Sequence, residues 1–249
     1  MDMSDIIGFR TAYLRLIAKA WNDAKLLASL PKLNSKQVQA ELAKLGHAWL
    51  WGGLDIKLGI NGPVWSPVET GGWYGHGTST ITLRLPLNTE KIEDYSQNQA
   101  RALTDYYGQR PTLFGLPTGA AAQAKGGASL MQAYSASLGD FNSFLDFGGV
   151  TVRAVALAWH NAKFKKALVG KNSLGALERW LGFHSTWEMK IEVEEDKSAR
   201  WKDGPGWQSL SNNLLTLVLP TKPKEDDIRA IAITAYNETG PQYPFTCCD

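Results

Sequence analysis

The second half of this sequence repeats the first, and that repetition constrains the fold more than any single motif. Ala18-Lys19-Ala20-Trp21-Asn22-Asp23-Ala24-Lys25 returns as Ala156-Leu157-Ala158-Trp159-His160-Asn161-Ala162-Lys163, and Ile81-Thr82-Leu83-Arg84-Leu85-Pro86 returns as Leu215-Thr216-Leu217-Val218-Leu219-Pro220. Thr104, Tyr106 and Pro111 find counterparts in Thr234, Tyr236 and Pro241. The offset shrinks from 138 at Trp21/Trp159 through 134 at Pro86/Pro220 to 130 at Pro111/Pro241, as small loop deletions in a copied unit require. A period this long marks duplication of a domain-sized unit, not a solenoid of short repeats. The expected organisation is a first unit over 1–114, a Gly/Ala-rich linker and connecting helix over 115–139, and a second unit over 140–249.

Each copy reads as helix, helix, strand, strand, helix. Ile6, Phe9, Tyr13, Leu16, Ile17, Ala20, Trp21, Ala24 and Leu27 recur at three- and four-residue steps, which predicts one long helix ending at Pro31. Asn34 followed by Gln37 has the spacing of a capping box for the next helix, and Gly46 stands where a helix C-cap favours positive φ. Leu54, Ile56, Leu58 and Ile60 alternate with polar or small residues, as do Ile81, Leu83, Leu85 and Leu87, and Trp187, Met189, Ile191 and Val193. Such alternation predicts strands with one buried face. The Gly/Pro/Trp-rich stretch from Asn61 to Gly77 reads as a long loop, Glu90, Glu93 and Asp94 as the start of a helix, and Pro223 as part of the first turn of the last helix. The expected fold class is α+β, an internal duplication with small antiparallel sheets covered by the helices of their own copy. Trp21 and Trp159 are then equivalent core residues.

Composition excludes several functions. A net charge of +2 over 249 residues supplies no concentrated basic face for nucleic acid. No stretch approaches the ~20 apolar residues that span a bilayer, and the acidic start, Met1-Asp2-Met3-Ser4-Asp5, differs from a basic secretory signal, so synthesis in the cytoplasm is expected. Catalytic motifs are missing. There is no G-x-S-x-G elbow and no H-E-x-x-H, and Gly119–Lys125 departs from a phosphate loop at Ala124 and Gly126. His47, His76, His160 and His184 are scattered, the Glu188/Glu192/Glu194 run reads as a solvated strand face, and Gly75-His76-Gly77-Thr78-Ser79 as a hairpin loop. No cofactor, metal site or catalytic residue is expected.

The copies differ most at their ends. The second runs into Tyr243-Pro244-Phe245-Thr246-Cys247-Cys248-Asp249, which holds both cysteines of the sequence. Adjacent thiols in a Pro-rich tail are poor staples for a core, offer too few ligands for a four-coordinate metal, and suit access by a modifying enzyme. They are expected to be accessible and dispensable for folding.

The run Phe9-Arg10-Thr11-Ala12-Tyr13-Leu14-Arg15-Leu16-Ile17-Ala18-Lys19-Ala20-Trp21, with Leu27 and Leu30-Pro31 after it, resembles the opening of peptide-natural-product precursors whose leaders descend from the nitrile hydratase α subunit. Among these, the long Burkholderia-type precursors of thiazole/oxazole-modified microcins are the most similar. The resemblance is clearest over the first fifty residues and recurs more weakly from Val150 to Phe183. It implies a non-catalytic, bacteriocin-like precursor whose folded part acts as leader. An ATP-dependent cyclodehydratase, with a dehydrogenase of the same gene cluster, converts core Cys, Ser or Thr to azolines and azoles in such families. By position the modified residues are Cys247 and Cys248, with Thr246 third, and Arg10 and Arg15, off the apolar stripe, are the partner-binding residues. Gly126-Gly127 and Gly148-Gly149 are the candidate cleavage points, with export after processing. Two other readings remain open, a nitrile-hydratase-related metal-binding protein and a duplicated scaffold or binding protein. The first is opposed by the missing third thiol of the nitrile hydratase metal motif.

Overall fold

A computed structural model describes residues 3–48, 53–66, 72–75, 79–87, 94–109, 138–185 and 189–239. The first half contains α1 (Met3–Asn22), α2 (Ala24–Ser29), a 3-10 turn (Leu30–Lys32), α3 (Ser35–Lys44), β1 (Leu54–Gly59), β2 (Val64–Ser66), β3 (Gly72–Tyr74), β4 (Thr80–Pro86) and α4 (Tyr95–Gln109). The second half repeats that order with α5 (Leu138–His160), α6 (Ala162–Leu168), α7 (Ser173–Leu181), β5 (Lys190–Asp196), β6 (Arg200–Lys202), β7 (Gly206–Gln208), β8 (Asn213–Val218) and α8 (Arg229–Thr239). The chain is α+β.

The principal sheet is not two small sheets. Its four strands run β1-β8-β4-β5, so the two strands of each half are separated by one strand of the other. β1 and β8 are parallel with Ile56 opposite Leu215, β4 and β5 are parallel with Ile81 opposite Ile191, and β4 and β8 are antiparallel with Ile81 opposite Leu215. That central pair consists of the two residues that the repeat aligns with each other. The expectation of an antiparallel sheet within each copy is corrected accordingly: each half's strands run antiparallel, but with a foreign strand between them. Alternation selects which face of a strand is buried and carries no information about its neighbour.

The hydrogen bonds follow the same exchange. Trp21 Nε1 donates to the Pro220 carbonyl and Trp159 Nε1 to the Pro86 carbonyl, each at 3.0 Å. Trp73 Nε1 donates to Ala232 O at 2.7 Å and Trp207 Nε1 to Ala102 O at 2.6 Å. All four indoles are buried, and each reaches into the opposite half. The central ladder is closed at both ends by side chains: Ser79 Oγ accepts from Val218 N at 3.0 Å and Asn213 Oδ1 from Arg84 N at 2.7 Å. Ser79, read as the end of a hairpin loop, is therefore a buried residue at the end of the ladder.

Local signals explain most element ends. Asn34 and Gln37 form the capping box, and Gly46 and Gly182 adopt φ values of 103° and 67° after their helices. The long first helix is interrupted: Asp23 Oδ1 accepts from the backbone N–H groups of Lys25 and Leu26 and starts α2 afresh. Two short hairpins go beyond the sequence reading: β2–β3, with Trp65 opposite Trp73, lies in the stretch read as a long loop, and β6–β7, with Trp201 opposite Trp207, lies in a stretch assigned no element. Three-residue strands are too short for alternation to declare them. Pro223 precedes α8 instead of lying in its first turn.

The halves differ in how fully they fill the space under the sheet. Tyr13, Leu16 and Ile17 on α1 are replaced by Thr151, Ala154 and Val155 at the aligned positions of α5. Each replacement is smaller. A cavity lies there, lined by Thr151, Ala154 and Val155 with Leu83, Tyr106 and Val193. In the first half Tyr13 fills the corresponding place beside Tyr236 and stacks on Phe9. The paired positions therefore predict unequal losses. Leu16→Ala removes a fully buried side chain and is expected to cost about 2–5 kcal/mol, whereas Ala154→Gly removes one methyl beside a space already open and is expected to cost only about 1 kcal/mol, mostly through helix propensity. Urea unfolding midpoints check both, and equal losses would show that the two positions are packed alike.

Candidate partner-binding and modification site

The three residues expected to be modified, Thr246, Cys247 and Cys248, lie outside the described residues. What is described is the helix that leads to them. α8 is anchored along its length: the Ala232 carbonyl accepts from Trp73, and the buried Tyr236 ring packs edge-on against Trp73 at 5.4 Å. Burial pushes the Tyr236 phenol well above its usual value, against the opposing pull of a hydrogen bond with Tyr13, so it stays neutral.

Arg10 meets the same helix. Its Nη2 donates to Asn237 O at 3.2 Å and to Asn237 Oδ1 at 2.9 Å. Asn237 O belongs to the last turn of α8, where carbonyls lack helical partners and a cation is favoured. Arg10 is half-buried, off the apolar stripe as expected, and it clamps the end of α8, nine residues before Thr246. Nine residues of chain reach at most about 30 Å, so the tail begins within range of the first helix. Arg15 is exposed and donates from Nη1 to the Leu45 carbonyl at 2.9 Å, capping α3. The two arginines thus share a helix but serve different helix ends.

The remaining candidates resolve into structural roles. His47 is buried against Phe9 with ring centroids 5.6 Å apart, and His160 Nε2 pairs with Gln99 Oε1 at 2.8 Å. His184 is exposed, while His76, Trp187, Glu188 and the 115–127 linker lie outside the described residues. No three His, Cys, Asp or Glu side chains gather as a metal site among the described residues. Glu192, Glu194 and Glu195 on β5 pair with Lys190, Arg84 and Lys165 respectively. Gly148-Gly149 lies inside α5, with Gly148 buried, instead of in a turn open to a protease. No described helix is long and apolar enough to cross a membrane.

Asp196 is a buried carboxylate that the motif search missed, since a lone Asp at a strand end carries no periodic signal. It accepts from Ser198 Oγ at 2.7 Å, Ser198 N at 3.1 Å and Ser211 N at 2.6 Å, tying the β5–β6 turn to the start of β8. Burial works to raise its pKa, but the bonds from Ser198 and Ser211 together outweigh it and hold the group below its ordinary value of 3.8.

Residues 142–244 match the model of a family described as ribosomal natural product, two-chain TOMM. The match supports a precursor of a thiazole/oxazole-modified product, with modification enzymes as the partners such a family suggests. It falls on the second half, although the resemblance read from the residues was clearest over the first fifty. No curated protein and no solved structure gives a significant match.

Two measurements follow. Arg10→Ala removes a charge-assisted bond from a half-buried site and is expected to cost about 1–3 kcal/mol, against no more than about 1 kcal/mol for Arg15→Ala, as read from urea midpoints. Asp196, whose folded pKa is depressed, contributes stability above the ordinary value of 3.8 that is lost as pH falls through the lower folded value. Asp196→Asn is therefore expected to flatten the acid limb of the stability profile, and an unchanged limb would remove Asp196 from that role.

Proposed function

Because residues 142–244 match a family of ribosomal natural products, we propose that this protein is a non-catalytic precursor with a folded leader. Cys247 and Cys248, and after them Thr246, are the substrates of azoline-forming modification. In that chemistry the Cys247 thiol attacks the Thr246 carbonyl carbon, the ring closes, and the carbonyl oxygen leaves as the equivalent of water after activation by ATP. Cys248 attacks the Cys247 carbonyl in the same way. Thiols are the better nucleophiles, which ranks Thr246 third.

The observation that carries this reading is the reach of the family match, which extends to residue 244 and leaves only Phe245 before the Thr-Cys-Cys run. Arg15, exposed on α1, is the cleaner contact for the modifying enzyme, because Arg10 is half-buried against α8. An enzyme holding α1 also holds the root of the tail, and such tethering raises the effective concentration of a weakly bound substrate segment.

Co-expression with a cyclodehydratase encoded near the gene, followed by intact-mass and fragment-ion measurement, tests the proposal. The expected result is loss of one water per modified residue, confined to Thr246–Cys248. Arg15→Glu is expected to slow that loss while leaving the circular dichroism spectrum unchanged. An unmodified mass in the native host, with no cyclodehydratase encoded nearby, would overturn it.

A further inference from the structure

The repeat lets the two short hairpins be compared position by position, because each is anchored alike: Trp73 bonds to Ala232 O on α8 as Trp207 bonds to Ala102 O on α4. Around β6–β7 the solvent-facing side chains are Arg200 and Gln208, with Arg101 on the helix beside them. The aligned positions around β2–β3 hold Val64, Tyr74 and Ile231, which are exposed by 40%, 39% and 63%. They are three of the five large apolar side chains left exposed among the described residues. One unit is thus solvated where its copy is apolar. The contact with the helix differs in the same sense. Trp201 Nε1 donates to Asp105 Oδ2 at 2.7 Å and Arg101 pairs with Asp203 at 2.8 Å. In the copy, α8 offers Ile231 and Ala235 at the places of Arg101 and Asp105, and the half-buried Trp65 keeps an indole N–H with no acceptor among the described residues. Apolar side chains gathered where a copy of the same unit carries polar ones mark a surface that something covers.

The chain itself supplies the occupant. α8, which carries Ile231, ends at Thr239, and Gly240-Pro241-Gln242-Tyr243-Pro244-Phe245 follows it. We infer that Tyr243, Pro244 and Phe245 dock at the corner formed by Val64, Tyr74 and Ile231, so that the body holds its own tail and presents Thr246–Cys248 from one place. The tail must run back from Thr239 to the level of Ile231, about 12 Å along a helix, and the six residues from Gly240 to Phe245 extend to about 20 Å. Its chemistry fits. Two prolines favour an extended backbone with little entropy left to lose, and Pro/aromatic segments lie on surfaces lined by aromatic rings. No charged side chain occurs between Gly240 and Thr246, so none is desolvated against these three apolar positions. The contact need not be strong: at an effective concentration on the order of 1 mM, a dissociation constant of about 0.1 mM leaves about ten chains docked for each one undocked. Docking concerns where the tail lies and holds whether or not its thiols are modified, so it is independent of the precursor reading.

Chymotrypsin, which cuts after Phe245, tests the contact in the full chain. Val64→Arg, Tyr74→Gln and Ile231→Arg together install the residues that the other half carries at the same positions. The triple variant is expected to keep a native circular dichroism spectrum and to lose Thr246–Asp249 about tenfold faster than the parent, read by intact mass, because cleavage follows the undocked population. A second measurement leaves the body unchanged. A nitroxide on Cys248 in the Cys247→Ser chain is expected to broaden the amide resonances of Val64, Tyr74 and Ile231 and to spare those of Arg200 and Gln208. Equal cleavage rates in the folded triple variant, or no broadening at Val64, Tyr74 and Ile231, would overturn the inference. So would a dimer on size exclusion that the triple variant abolishes, since the surface would then belong to a second copy of the chain.

Discussion

Everything in this molecule depends on a gap. In a sheet, neighbouring strands lie about 4.8 Å apart, so the two strands of one half, with a foreign strand between them, stand roughly 9.6 Å apart. No side chain rearrangement closes that distance. Both halves must insert a strand into the other, and once they do, β4 and β8 meet at Ile81 and Leu215. The other interactions read as consequences. Ser79 and Asn213 cap the short central ladder, and the four indoles bond to carbonyls on the far side of the exchange. Over β4 and β5, helices of the second half shelter one strand of each origin.

Local chemistry was legible in the residues wherever the determinant was local. Asn34 and Gln37 are three residues apart because the capping bonds require it, and Gly46 precedes no further helix because its φ is positive. Alternation marked Leu54–Leu58, Ile81–Leu85 and Ile191–Val193 as strands with a buried face. Asp23 was less visible: a polar residue inside an apolar stripe is ordinary, and only the bonds it accepts from Lys25 and Leu26 show that it restarts the helix. Strand order was not legible. A parallel pair such as β1–β8 joins residues more than 150 positions apart, and nothing in the periodicity of either segment names the other.

The candidate site divides along the same line. The Thr-Cys-Cys run stands out by residue type, and its family context is carried by residues 142–244. The roles of Arg10 and Arg15 depended on long-range geometry: helical spacing placed both away from the apolar stripe, yet one reaches a carbonyl 227 residues away and the other caps a helix 30 residues on. Asp196 carried no motif at all and is defined by the Ser198 hydroxyl and the backbone N–H groups that surround it.

The position of β8 has a mechanical meaning. It is the last strand among the described residues but an interior strand of the sheet, and it is joined to the tail through α8. A machine that pulls on the tail first breaks the Arg10–Asn237 clamp and strips α8 from Trp73. The next element to yield, β8, is flanked by a ladder on each side, so tension is resisted by two rows of backbone bonds. Traction from the other end peels α1 and then β1, an edge strand with a ladder on one side only. The fold is therefore stiff toward one terminus and yielding toward the other, and an unfolding motor would be faster starting from the amino-terminal side.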